Sequence, residues 1–544
     1  MRRPGTAKKV SRECPSGESR SSKSLYRPIL HEGPFAVINL TRSLVLGCSV
    51  VALAACGPDD IASPGTGGNI DVDINNPPPT GGDGDGGNGD GGVTPASGCP
   101  TVGVDALSDN GTITGPTGTW RVCALPQVFT DDATLPQVTG VLYSMPGRVD
   151  VGVDDGPLPD ATDGVTGTPV TLTIRPGVTI FAATGRSWLA VNRGSQLIAN
   201  GTATMPIVFT SRDNVQGLNT INSSGQWGGV VLMGRAPVSD CDTGTPTADK
   251  TQCEMGVEGA LSPAQFGGPD AADSSGELSY IQLRYSGFVL SEGKELQSLT
   301  TGGVGSGTQF SNIMSYNSSD DGMEAFGGAN HMTNFIVVGA EDDSFDVDSG
   351  AQFTLQNAIA IQRANVGDNL FEIDSPDADY DFDATPQTNV RITNFTGQLQ
   401  SSGAAQAIRV RGQANFWLSN SIVVGEGKNC ARIDEESAAN APKFDSVLFQ
   451  CTVAGGSDVA GYVAAGSNNN TSYTSTLVTL FVNGANESGA VAFDPTAMSA
   501  LFTNHNLVGA ASDTDTWFQG WACDSATASF ASTTGTCLSL PVYN

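Results

Sequence analysis

The sequence predicts an all-β solenoid, a stack of short parallel strands wound coil upon coil. Two observations carry this. Phe310-Ser311-Asn312, Met332-Thr333-Asn334, Leu355-Gln356-Asn357, Ile392-Thr393-Asn394 and Leu418-Ser419-Asn420 share an Asn column with spacings of 22, 23, 37 and 26 residues. Phe444-Asp445-Ser446 follows 26 residues later with Ser in the Asn place. A period in the twenties marks a coil-by-coil architecture. The second observation is the stretch after each Asn: Met323–Phe326, Phe345–Asp348, Phe371–Asp374, Ile408–Arg411 and Ala431–Asp434. Their first and third residues are apolar, and the second and fourth are charged except at Phe326. Alternation with period two marks a strand with one buried and one wet face. Five such strands at regular spacing predict one parallel strand per coil, about 4.8 Å apart. An Asn at an inward bend could satisfy its stacked copies and the turn backbone.

The elements before this block read the same way. Residues 98–544 are expected to form one β-helix domain, opening with an irregular lead-in region over 99–170 and ending in C-terminal coils. Thr171–Ile174, Val178–Ala182, Trp188–Asn192, Gln196–Ala199, Pro206–Thr210 and Val230–Met233 are short, rich in β-branched residues and bounded by Gly, Pro or Asn. A short helix is expected at Pro495–Phe502. Residues 57–97, with Asn75–Gly87 at their centre, hold Gly, Pro and Asp and little to bury, so they are expected to be a disordered tether.

Residues 1–56 form a leader. Arg42 precedes an apolar run from Leu44, which ends in Leu53-Ala54-Ala55-Cys56. The run is too short for an ordinary spanning helix. It resembles a bacterial lipoprotein signal, which implies lipidation at Cys56. Gly57 after it implies sorting to the outer membrane, at the cell surface or the periplasmic face. Residues 1–36 are polar and precede the signal, so translation is expected to start near Val37.

After residue 55 the chain holds 17 basic and 53 acidic residues, a formal charge of −36. Nucleic acid is excluded as a partner by that charge. Beyond Cys56 there are eight cysteines, Cys99, Cys123, Cys241, Cys253, Cys430, Cys451, Cys523 and Cys537. Chain neighbours lie 24, 12, 21 and 14 residues apart, which makes sequential pairing in an oxidising compartment the simplest arrangement among many. After the leader only His331 and His505 remain, so a multi-His metal site is not expected.

The runs Leu172–Gly177, Asn192–Thr202, Pro206–Ser211, Trp227–Pro237, Thr301–Thr308 and Asp320–Gly328 resemble large lipoproteins of Gram-negative bacteria. The resemblance implies a right-handed parallel β-helix with a pectate-lyase-like shape and a surface location. It implies no particular reaction.

The outward positions supply the candidate site. One column reads Glu324, Asp346, Glu372, Arg409, Arg432, and the other Phe326, Asp348, Asp374, Arg411, Asp434. Pectate-lyase-like enzymes hold calcium on strand carboxylates and use an Arg as base. The boundary between Glu372/Asp374 and Arg409/Arg411 is the analogous place here. A second candidate is the acidic loop of Asp377, Asp379, Asp381 and Asp383, whose crowded carboxylates either share a calcium ion or form a mobile acidic loop. Trp188, Trp227 and Trp417 are candidate sugar platforms. The leading expectation is a non-enzymatic binding or scaffold protein for a polysaccharide or a TonB-dependent outer-membrane transporter. The alternative is a polysaccharide lyase or hydrolase working through the charged face. The enzyme requires carboxylates and Arg converging in a cleft, whereas a salt-bridged face favours binding.

Overall fold

The computed structural model describes residues 92–543, except 104, 245–252, 292–293, 376–384, 437 and 454–457. Cys56 and the loop of Asp377, Asp379, Asp381 and Asp383 lie outside the described residues. The architecture is a parallel β-helix whose coils each carry three strands. The first and second faces come from single long strands: Gly276–Arg284, Gln309–Tyr316, Ala329–Val338, Gln352–Ile361, Asn389–Gln398, the first ten residues of Asn415–Ile433, and Lys443–Thr452. Each bends at one residue, Tyr280, Asn312, Asn334, Asn357, Asn394, Asn420 or Ser446, with φ between 47° and 60°. The third face holds Trp188–Val191, Gly229–Met233, Leu299–Gly302, Glu324–Phe326, Phe345–Asp348, Phe371–Ile373, Gln406–Val410 and the end of Asn415–Ile433.

The Asn column therefore marks the corner between two faces. Asn tolerates the left-handed region better than most side chains. Part of the column bonds its stacked copies, as expected. Asn334 Nδ2 donates to Asn312 Oδ1 at 3.4 Å, and Asn357 Nδ2 to Asn334 Oδ1 at 3.1 Å. Asn394 and Asn420 instead donate to the backbone oxygens of Leu507 (2.7 Å) and Phe493 (2.9 Å), and Asn312 also reaches Trp517 O at 3.3 Å. The column thus serves as a rail for another part of the chain. Asn357→Ala is expected to cost about 1–2 kcal/mol through the left-handed bend. Asn357→Gly should cost less, and denaturant unfolding of the two variants measures the difference.

Register keeps like residues stacked. Phe310, Met332, Leu355, Ile392, Leu418 and Phe444 pair in succession, and all are buried. On the third face Phe345, Val347, Phe371, Ile373 and Ile408 point into the same core, as the alternation predicts. Phe345 and Phe371 stack with centroids 5.3 Å apart, and Phe371 meets Phe395 edge-on at 4.6 Å. Such rings bury the most apolar area per residue and prefer these offset geometries.

Both ends are closed. Ser108–Gly115 and Gly118–Ala124 form an antiparallel hairpin over the first coils. The fold begins earlier than the expected tether boundary at residue 97. Val93 N–H donates to Thr117 O at 2.9 Å, and the Val93 side chain packs beside Trp120 and Leu142. At the other end the helix Val459–Ala465 inserts Val459 and Val463 into the core, which shields the last coil from edge pairing. All four disulfides join chain neighbours, Cys99–Cys123, Cys241–Cys253, Cys430–Cys451 and Cys523–Cys537, as expected.

The C-terminal residues do not add coils, contrary to expectation. From Gly466 onward the described chain is short turns, the brief helix Ala485–Ser488 and the 3₁₀ turn Pro495–Ala497. It folds back along the second face as a strap. The reason lies in that face: its outward residues Met314, Tyr316, Ile336, Val338, Ile359 and Ile361 are apolar and need cover. Phe481, Ala510, Phe518, Trp521 and Phe530 of the strap supply it. No described helix is long and apolar enough to cross a membrane.

Candidate functional site: a carboxylate ladder on the third face

The third-face strands pair Glu324 with Asp346, Asp346 with Glu372, Glu372 with Arg409 and Arg409 with Arg432. Phe326 pairs with Asp348. Asp374, Arg411 and Asp434 follow directly after the paired Ile373, Val410 and Ile433, so they extend that second column. The structure thus brings Glu324, Asp346, Asp348, Glu372, Asp374, Arg409, Arg411, Arg432 and Asp434 onto one face.

The turn leading into each strand adds acids that the alternation did not single out. Asp320 and Asp321 precede Glu324, Asp342 and Asp343 precede Asp346, and Asp368 precedes Glu372. Asp321 Oδ1 accepts from Asp343 N–H at 2.9 Å, and the Asp343 carboxylate accepts from Asn369 N–H. Asn369 Oδ1 accepts from Gln406 Nε2 at 2.6 Å. The turn column therefore changes from Asp to amide at the coil where the strand column nears its change from Glu to Arg. The signal was present in the sequence as aspartates four and three residues ahead of Glu324 and Asp346, and four residues ahead of Glu372.

Carboxylate oxygens crowd along this ladder. Asp320, Asp321 and Asp342 form one set with oxygens within 4.8 Å of one another; Asp321, Glu324 and Asp346 form a second, and Asp342, Asp343 and Asp368 a third. Burial first, and neighbouring carboxylates second, push Asp320, Asp321, Glu324, Asp343 and Asp346 well above the usual carboxylate range. Asp342 is pushed up to about 7 by the same causes. Glu324 is only 8% exposed, and no described residue donates to its carboxylate or pairs with it. Asp346 Oδ1 is buried and likewise without a hydrogen-bond partner.

The ladder has two different borders. On the N-terminal side Phe326 packs with Phe266, Leu296 and Leu290, carried by loops that include the Cys241–Cys253 disulfide. On the C-terminal side the charges cancel. Arg411 pairs with Glu372 at 2.9 Å and with Asp374 at 2.8 Å, Arg409 reaches Glu372 at 3.5 Å, and Arg432 pairs with Asp434 at 2.8 Å. The tryptophans are not open sugar platforms. Trp188 and Trp227 are buried, and Trp417 lies between Arg391 (5.8 Å) and Lys443 Nζ (4.7 Å).

An all-oxygen set of this kind suits a hard divalent cation. The geometry can hold cations at the acidic coils and anions where Arg432, about half exposed, faces solvent. No curated protein and no solved structure matches the chain. The family model for the pectate-lyase-like β-helix domain matches residues 163–522. With its coil-by-coil register and its strand-borne charged face, the chain belongs to the pectate-lyase-like β-helix family.

Proposed function

We propose that the protein is a lipid-anchored surface protein of the Gram-negative outer membrane. In this reading it binds a carboxylate-bearing polysaccharide on the third face, through divalent cations held by the carboxylate ladder. The observation that carries the reading is the Glu324 carboxylate, nine-tenths buried with no hydrogen-bond or ion-pair partner among the described residues, beside Asp321 and Asp346. A buried charge without a partner is costly unless a proton or cation neutralises it. Calcium fits best: its flexible coordination shell accepts several carboxylates at once. When bound, it supplies positive charge to which a polymer carboxylate can attach. Asp321, Glu324 and Asp346 would hold one ion, and Asp342, Asp343 and Asp368 a second.

Binding is favoured over cleavage by the state of the arginines. Arg409 and Arg411 already face Glu372 and Asp374, so neither guanidinium is open over the acidic coils as a proton acceptor must be. They fix Glu372 at the border of the ladder instead. The anchor rests on Leu53-Ala54-Ala55-Cys56. Cys56→Ala is expected to move the protein out of the membrane fraction.

The test is retention on immobilised polygalacturonate and alginate. Calcium is expected to support retention, EDTA to abolish it, and Glu324→Gln with Asp346→Asn, which removes one of the two ions, to weaken it. Unsaturated oligosaccharide ends released during the assay would favour the lyase alternative. Absence of retention on either polymer would sink the proposal.

A further inference from the structure

A groove of about 500 Å³ lies on the outer side of the first face, away from the ladder. Its floor is built from outward positions of successive coils. His331 pairs with Thr354 and Thr354 with Arg391 in register, and Gln309 precedes the Phe310–Met332 pair in the coil before. A second outward column runs Ser311, Thr333, Gln356, Thr393 and Ser419. The chain holds 56 acidic residues against 26 basic ones, yet none of these floor positions is acidic. Glu277 stands in the coil before and Asp445 in the coil after, so the acid-free strip is bounded.

The floor groups are hydrogen-bonding and mostly uncharged. His331 Nδ1 lies 2.7 Å from Thr354 Oγ1, and burial draws the His331 imidazole below its ordinary value. It is therefore neutral at physiological pH and offers one donor and one acceptor. Asn389 donates to Gln352 Oε1 at 3.3 Å, but its own Oδ1 is buried with no partner. Buried polar atoms in native folds are rarely left so. The groove wall is apolar. It comes from the strap, where Leu501 is 59% exposed and Phe502 packs against the His331 ring at 6.4 Å. Floor donors and acceptors repeat about every 4.8 Å along the axis. That repeat is close to the advance of one pyranose ring in an extended glycan. The volume lies within the usual range for ligand grooves, about 300–1,000 Å³.

We infer that this groove is a second binding site, for a linear neutral glycan lying along the helix axis. Its hydroxyl groups would bond Gln309, His331, Thr354 and Asn389, with its C–H faces against Leu501. Among the described residues no carboxylate lines the floor, and amides and hydroxyls are the groups that bond sugar hydroxyls without charge. The site goes beyond the proposed cation-dependent face and does not depend on it.

The experiment titrates the full chain in detergent with neutral linear β-linked hexasaccharides, by calorimetry and ligand-observed NMR, with and without EDTA. Oligogalacturonate serves as the acidic comparison. Thr354→Trp fills the groove from an outward position and is expected to weaken binding at least about tenfold. Gln309→Ala, at an exposed position, is expected to weaken it severalfold. EDTA and Glu372→Gln are expected to leave it unchanged, which separates this site from the ladder. Three results would overturn the inference. They are no neutral hexasaccharide bound at millimolar concentration, affinity retained in a Thr354→Trp variant that melts like the native chain, or binding that disappears with EDTA.

Discussion

Stripped of divalent cations, the protein is expected to melt at a clearly lower temperature at pH 8 than at pH 5. The ladder carboxylates have folded-state values raised above their unfolded values. The folded chain therefore binds more protons than the unfolded chain between the two values, and stability falls as pH rises through that window. For Asp342 the window runs from 3.8 to about 7. The stabilising proton is fully present below the lower value and lost above the upper one. That difference is worth on the order of 4 kcal/mol before solvent screening, and the neighbours share the loss rather than adding it in full. Calcium should offset much of this loss. An ion bound only by the folded state, at a hundred times its dissociation constant, adds about 2.7 kcal/mol. The rise with calcium should be largest at pH 8, where the carboxylates are free of protons. Scanning calorimetry at the two pH values, with EDTA and then with calcium, measures both effects. A melting point that rises from pH 5 to pH 8 in EDTA would contradict the assignment.

Arg284→Ala is expected to release the end of the strap at a cost of roughly 3–5 kcal/mol, since Ser539 O and Gln282 Oε1 lose their charged donor and a cavity opens. Arg284 is fully buried and, among the described residues, has no carboxylate paired with it. Its Nη1 donates to Cys537 O at 3.1 Å and Ser539 O at 2.8 Å, and its Nε donates to Gln282 Oε1 at 2.8 Å. Tyr285 Oη and Asn214 Nδ2 also donate to Cys537 O, at 2.9 and 3.1 Å. Burial draws the guanidinium down to about 10, so it stays charged at neutral pH. Removing it leaves a cavity and takes the guanidinium donor from Ser539 O and Gln282 Oε1, while Cys537 O keeps Tyr285 Oη and Asn214 Nδ2. Limited proteolysis should then cut between Gly466 and Tyr543 well before the coils are attacked. Arg284→Lys should restore part of the protection. A variant as resistant as the native chain would show that the apolar cover over Met314 and Ile336 holds the strap unaided.

Much of the β-helix was legible in the sequence because coil geometry is repetitive. A residue every twenty-odd positions with φ near 55° favours Asn, and an inward-outward alternation must recur in every coil. The charged columns followed from that alternation, and the pairing of Glu324, Asp346, Glu372, Arg409 and Arg432 is the one it implied. The strap was not legible. Its residues after Gly466 have no repeat, and their role is set by an apolar outer face more than 100 residues earlier, at Met314, Ile336 and Ile359. The first-face groove was missed for a similar reason. His331, Thr354 and Arg391 are unremarkable in sequence, and Leu501 joins them only through the fold-back. The turn aspartates were written in the chain but fall outside the strand alternation, so a period-two reading passed over them.

Uptake of a divalent cation by the ladder is tested most directly by calorimetric titration of the EDTA-treated, dialysed protein with calcium at pH 7.5. Saturable binding is predicted, with the ion of the Asp321, Glu324 and Asp346 set lost in Glu324→Gln and in Asp346→Asn, so that the stoichiometry falls, and with both ions retained in Arg432→Ala. Absence of saturable binding in the native protein, or binding that survives both ladder substitutions unchanged, would contradict it.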